Sequence, residues 1–242
     1  MMKLLKSQWL SILAVLGGIA MLLLRQIHLG TIDARGLLAS FHYAGIIASI
    51  LALLIPGVLL WRCLVMAKDN TCKFPASIPA TAGYGIGAVG LGITAAQILL
   101  NQPDTLQLVV GFFGIVAAAA VLLMAINRFQ GVRTNILLHA AVCLFFMVLL
   151  IWQYRDCVMH TQLQLCVYAP VATICLMIAS YNRAAFDEKM GQPRLFAFFR
   201  LVSIFFCLAA IPGSELWVLY LSGCIWSVAD LANLTVSPQE GG

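Results

Sequence analysis

Apolar runs of about twenty residues recur along the whole chain, separated by short polar stretches. Run length decides the element type. A helix needs roughly 20 mostly apolar residues to cross a bilayer core. A barrel strand needs only ~10, with alternating polarity. The runs here are continuous and twice the strand length, so helices are predicted. Eight spans are read, at residues 8–27, 37–61, 80–100, 106–127, 135–153, 163–181, 195–212 and 215–234. The predicted fold class is all-α: a polytopic transmembrane helix bundle, residues 1–242 forming one domain. Little chain is left for a soluble domain, so any chemistry lies in the membrane or at its faces.

Composition sharpens this picture. Hydrophobic residues make up 62% of the chain and charged residues 10%, and mean hydropathy is +0.99. A soluble domain of this length needs far more polar surface. The net charge of +5 is explained by orientation, not by nucleic acid. With the N-terminus inside, ten basic residues fall on inner segments: Lys3, Lys6, Arg62, Lys68, Lys73, Arg128, Arg133, Arg183, Lys189 and Arg194. Three, Arg25, Arg35 and Arg155, fall on outer ones. That positive-inside bias supports an even number of spans with both termini inside. Trp9 and Trp61 fall at the inner interface and Trp152 and Trp217 at the outer one, where indole rings favour headgroups.

Lys3 and Lys6 before an apolar run look like a signal peptide, but Met21-Leu22-Leu23-Leu24 leads into Arg25 without a small-residue cleavage site. A retained helix is expected. Pro56 and Pro170 fall inside the second and sixth spans, where a lost backbone hydrogen bond predicts kinks. Pro103 and Pro212-Gly213 mark tight outer turns. No internal repeat of the transporter type is visible.

The third span contains Gly85-Ile86-Gly87-Ala88-Val89-Gly90, which matches G-x-G-x-x-G. A dinucleotide site requires a preceding strand and a downstream acid, and neither context exists. Periodicity is the better reading. Gly83, Gly87, Gly90, Thr94 and Gln97 form one small and polar helix face, suited to close packing in lipid. Gly111, Gly114 and Ala118 offer a similar face on the fourth span, so a tight hairpin of spans three and four is expected.

Few polar residues fall deep in spans, and each needs a reason. Arg200 and Asp230 lie at matching inner depths on antiparallel neighbouring spans. An unpaired charge at a helix centre costs ~2.5–3.5 kcal/mol, and pairing removes much of that. His139 lies at similar depth, and Tyr181 ends the sixth span there. An inner polar pocket of His139, Tyr181, Arg200 and Asp230 competes with a structural salt bridge. A second polar group gathers outside. Its core members are His42, Gln97, Arg155 and Asp156, with Arg25, His28, Asp33, Arg35 and His160 nearby. Most of these read as interfacial loop residues.

The spacing holds no H-x-x-x-H or C-x-x-C pair, so no metal site is assigned. No cofactor is assigned either: no lysine lies mid-span for a Schiff base, and His42 and His139 fall in opposite leaflets. The turn Gly213-Ser214-Glu215 is not a nucleophile elbow. Most of the eight cysteines fall in spans, as small apolar residues. Cys157 and Cys166 both face outside, at a spacing that a disulfide can join.

Leu137 to Phe146, Gln162-Leu163-Gln164, Tyr181 to Asp187, Phe205-Phe206-Cys207 and Pro212-Gly213 resemble a group of multi-pass membrane proteins from Gram-positive anaerobic gut bacteria. The likeness spans the second to eighth helices. The group has no assigned function to transfer, and it implies a bacterial plasma membrane.

Three functional readings follow. The first is a non-enzymatic binding or accessory component, with the bilayer, a membrane protein or a second copy as partner. The second is a small-solute transporter with a polar site near the inner leaflet. The third is a membrane enzyme acting on lipid, which requires His139, Tyr181 and Arg200 to converge at one headgroup level.

Overall fold

The computed structural model describes residues 2–31, 42–65, 71–73, 77–101, 104–159, 166–188, 190–232 and 235–237. Among these, eight helices form an all-helical bundle: α1 Met2–Leu29, α2 Tyr43–Val65, α3 Ile78–Leu100, α4 Thr105–Phe129, α5 Ile136–Met159, α6 Tyr168–Asp187, α7 Pro193–Ala210 and α8 Trp217–Ala232. Two short strands, β1 Thr71–Lys73 and β2 Thr235–Ser237, pair antiparallel. They tie the segment after α2 to the chain after α8. Six helices, α1 to α5 and α7, are long and apolar enough to cross a membrane. The protein is a multi-pass helical membrane protein.

Local chemistry places the helix ends. Ser77 caps α3 by accepting from the Ala80 amide at 3.4 Å. Asp104 and Gln107 form a capping box at the start of α4. After α4, Gly131 takes φ 69°, while Val132 N–H donates to Asn127 C=O and Gly131 N–H to Arg128 C=O. This is the Schellman arrangement, which needs a left-handed residue. Gly213, φ 76°, turns the chain between α7 and α8.

Several boundaries differ from the sequence expectation: α1 begins at Met2 and not at residue 8, and α8, Trp217–Ala232, is shorter than 215–234. Helix α5 runs to Met159 and α2 to Val65, each beyond its apolar run. Helix α6 occupies Tyr168–Asp187, displaced from 163–181. Pro170 therefore sits in its first turn, where a missing N–H costs nothing, and not inside the helix. Residues 37–41, 163–165 and 233–234 of the expected spans lie outside the described residues, as do Asp33, Arg35, Lys68, His160 and Lys189.

From α3 to α8 each helix packs on the next, and α8 returns to α3. These six close a ring. Helices α1 and α2 lie outside it and pack against α7. That explains the gradient of burial: 67% of the α7 window is buried, but only 22% of the α2 window. Helix α7 faces neighbours on both sides, whereas α2 is largely exposed to lipid.

The glycine face of α3 closes the ring, but against a different partner from the one expected. It packs on α8, not on α4. A Cβ at Gly83 would lie 2.1 Å from Ala229 Cβ, at Gly87 3.4 Å from the Trp226 indole, and at Gly90 2.0 Å from Ser222 Oγ. Buried Thr94 returns its hydroxyl to Gly90 C=O at 2.8 Å. The α3–α4 hairpin is also close, through glycines of α4: Gly111 receives Leu99, and Gly114 receives Ala95. With no hydrophobic effect between helices in lipid, such close backbone approach is a main source of attraction.

Candidate functional site

Arg62, Arg128, Arg133, Arg183 and Arg194 lie at the ends of helices on one side of the bundle, here termed the basic face. Inside the ring, near that face, polar side chains from all six ring helices meet. Arg200 on α7 and Asp230 on α8 are both fully buried, with Nη2 and Oδ2 2.5 Å apart. The same guanidinium donates to Ser227 Oγ at 3.4 Å and lies over the rings of Trp226 and Phe196. Ser203 and Ser227 share a hydrogen bond at 2.9 Å.

Asp230 has further partners. Its Oδ2 accepts from Tyr84 Oη on α3 at 3.3 Å, and its Oδ1 lies 3.6 Å from Arg128 Nη1 on α4. Arg128 also donates to Tyr84 Oη at 3.5 Å and stacks over that ring. Its place in the last turn of α4 puts a cation where the helix dipole favours one. Arg183 on α6 reaches the Tyr84 phenol and pairs with Asp187 at 3.3 Å. Asp187 Oδ2 in turn contacts His139 Nε2 on α5 at 3.0 Å. One continuous network therefore runs from His139 through Asp187, Arg183, Tyr84 and Asp230 to Arg200.

His139, Arg200 and Asp230 thus share a network. Tyr181 does not join it: it is 67% exposed, on the outer side of α6. Sequence reasoning missed four members. Arg128 and Arg183 were counted as inner loop charges, Tyr84 is surrounded by glycines, and Asp187 lies beyond the expected span. The i, i+4 spacing of Arg183 and Asp187 was the available signal.

At the opposite mouth the ring opens into a cavity of about 800 Å³. The last turns of α5 contribute Trp152, Gln153, Arg155, Asp156 and Cys157. Cys166 just before α6 and Pro170 in its first turn add to the wall, and Arg25 closes the α1 side. Gln107, Ser214 and Glu215 complete the polar rim. Behind this lining Gln153 joins a buried three-way network. Gln153 Nε2 donates to Tyr220 Oη at 2.7 Å, Thr173 Oγ1 donates to Gln153 Oε1 at 3.0 Å, and Tyr220 Oη donates to Ala169 C=O at 3.2 Å. Arg25 is buried; it donates to Ala209 C=O at 2.5 Å, in the last turn of α7, and lies over the Tyr168 ring. A guanidinium on the terminal carbonyls of a helix satisfies an orphan acceptor and offsets the dipole.

The expected outer group divides. Arg155 and Asp156 line the cavity. His42 lies elsewhere, stacked with His28 at a 6.1 Å centroid distance. Gln97 is half-buried on α3, which does not contribute to the cavity wall. Arg155 forms an ion pair with Asp104. That pair, with the capping-box amide of Gln107, holds the Asp104 carboxyl below its usual value. Among the described residues, no group of three His, Cys, Asp or Glu side chains is placed to hold a metal ion.

No family model matches the chain, no curated protein is significantly similar, and no solved structure matches.

Proposed function

We propose that the protein is a binding component of the membrane that takes a small polar solute into the ring from the face opposite the basic one. The observation that supports this reading is the cavity of about 800 Å³ at that mouth, whose lining includes Gln153, itself held by Thr173 and Tyr220. Its size falls within the usual range for ligand pockets, ~300–1,000 Å³. Its lining mixes an aromatic wall, Trp152, with convergent polar groups of both charge signs. That mixture suits a neutral or zwitterionic solute better than a bare ion.

A second reading, solute transport, is favoured by one further observation. The same ring holds, at its basic end, the buried Arg200–Asp230 pair and its partners. Ionisable residues inside a membrane bundle often mark a solute or proton path. For the lipid-enzyme reading, His139 joins the Arg200 network and Tyr181 does not, so this reading has less to support it than the other two.

Native mass spectrometry of the detergent-purified full chain tests the proposal. A stoichiometric non-lipid adduct is expected, lost in Trp152→Ala and in Gln153→Leu while the variants, lowered in melting temperature by the packing and hydrogen bonds they lose, still purify as folded protein. Lipid as the sole adduct overturns the proposal if, in addition, no amino acid, carboxylate, amine or sugar shifts the melting temperature. If an adduct is found, its uptake into proteoliposomes separates transport from binding alone.

A further inference from the structure

Two thiols line the cavity rim, and the binding proposal uses neither. Cys157 lies near the C-terminal end of α5 and Cys166 just before α6. Both are half-buried and unbridged. Cys166 Sγ approaches Cys157 C=O at 4.0 Å, which sets the two cysteines side by side at the rim. The other cysteines with described side chains lie away from the cavity. Cys63, Cys175, Cys207 and Cys224 are buried among apolar neighbours, and Cys143 donates to Met177 C=O.

We propose that Cys157 and Cys166 form a reversible disulfide that staples the end of α5 to the start of α6 at the cavity mouth. Contact between two solvent-reachable thiols is the geometric precondition. The compartment supplies the chemical one: the rim lies opposite the basic face, on the side where the positive-inside rule puts the oxidising exterior. A low-molecular-weight disulfide, RSSR, is the oxidant. One cysteine thiolate attacks RSSR, forms a mixed disulfide and expels RS⁻. The second thiolate attacks the protein sulfur of that mixed disulfide, forms the Cys157–Cys166 bond and expels the other RS⁻. The two thiol protons end on the expelled thiolates. Net, two protein thiols are oxidised and one RSSR is reduced to two RSH. The proposal stands whether or not the cavity takes a solute.

The test uses the detergent-purified full chain and oxidised glutathione as the RSSR. After incubation, free thiols are alkylated and the peptides are analysed by mass spectrometry. A linked peptide joining Cys157 to Cys166 is expected, reversed by dithiothreitol. The bridged protein is expected to melt several degrees above the reduced one, since the cross-link restricts the unfolded chain. The Cys157→Ser, Cys166→Ser double variant is expected to melt at one temperature with or without glutathione. Alkylation of both thiols after oxidation, a persistent glutathione adduct on either one, or bridging to another cysteine overturns the proposal. A bridge without a rise in melting temperature overturns the staple. The wild-type mass measurement decides the bridge even if the variant fails to fold.

Discussion

Asp230 is the acceptor on which the buried network depends. It serves Arg200, Tyr84 and Arg128 at once, whereas Arg200 has Asp230 as its acidic partner. The two charge deletions are therefore unequal. Removing one partner of a buried pair costs about 3–5 kcal/mol, because the charge left behind is uncompensated. Asp230→Leu is expected to incur a loss of that order. Arg200→Leu is expected to be milder, since Asp230 keeps Tyr84 and Arg128. The double variant should recover part of the Asp230→Leu loss. Melting temperatures of the four proteins in one detergent check this. Additive losses in the double variant, or an Asp230→Leu protein as stable as wild type, contradict it. The same residues mark what a sequence makes legible at this scale. Arg200 and Asp230 stand out because each interrupts an apolar run. Arg128 and Arg183 do not, because a charge at the end of a run looks the same whether it faces water or folds back into the ring. Tyr181 fails for a geometric reason. It lies two residues from Arg183, about 200° around the helix, so a face that turns Arg183 inward turns Tyr181 toward lipid.

Helix packing shows the same division between what one strand of sequence reveals and what it does not. The 4-3 spacing of Gly83, Gly87 and Gly90 revealed a close-packed face, and ring closure uses it. The partner was not legible, since α8 lies more than a hundred residues downstream and the adjacent hairpin offers its own glycines. Boundaries were legible where polar caps coincide with the end of hydropathy, as at Asp104. They were not where the helix outruns its apolar stretch: near its end α6 carries Asn182, which bonds Ile178 C=O of its own helix, and Arg183 and Asp187, which pair with each other. The α3–α8 contact is open to a direct exchange. At Gly83 a new methyl meets the Ala229 methyl at 2.1 Å, and the next nearest atom is 3.7 Å away. Gly83→Ala alone should destabilise, by about 1–3 kcal/mol for overpacking. Adding Ala229→Gly should return most of that loss by moving the methyl across the interface. Gly85 is the control, since a Cβ there meets nothing within 4 Å. Gly85→Ala should leave stability unchanged or slightly raised, given the helix propensity of alanine. Melting temperatures again decide, and a Gly83→Ala protein that matches Gly85→Ala would show that the α3–α8 approach is not tight.

For the whole molecule, the ring has two unlike ends, and its meaning depends on which one faces the cytoplasm. The basic end is closed by ion pairs; the other is open and bears thiols. The positive-inside bias predicts the closed end inside; the cavity should then receive solutes from outside, where oxidants of thiols also reside. Arg133 and Arg155 report the two ends. Both are more than half exposed, Arg133 paired with Glu188 and Arg155 with Asp104. Surface pairs of this kind are worth little, ~0.2–1 kcal/mol, so either position accepts a cysteine in a cysteine-free background. A membrane-impermeant maleimide added to intact cells should label Arg155→Cys and spare Arg133→Cys, while lysed cells should label both. The reverse pattern would turn the cavity toward the cytoplasm. The solute would then be bound on its way out, and reducing conditions there would hold Cys157 and Cys166 as thiols. One labelling experiment thus sets the direction of solute capture and the compartment in which the staple forms, because the same asymmetry of the ring governs both.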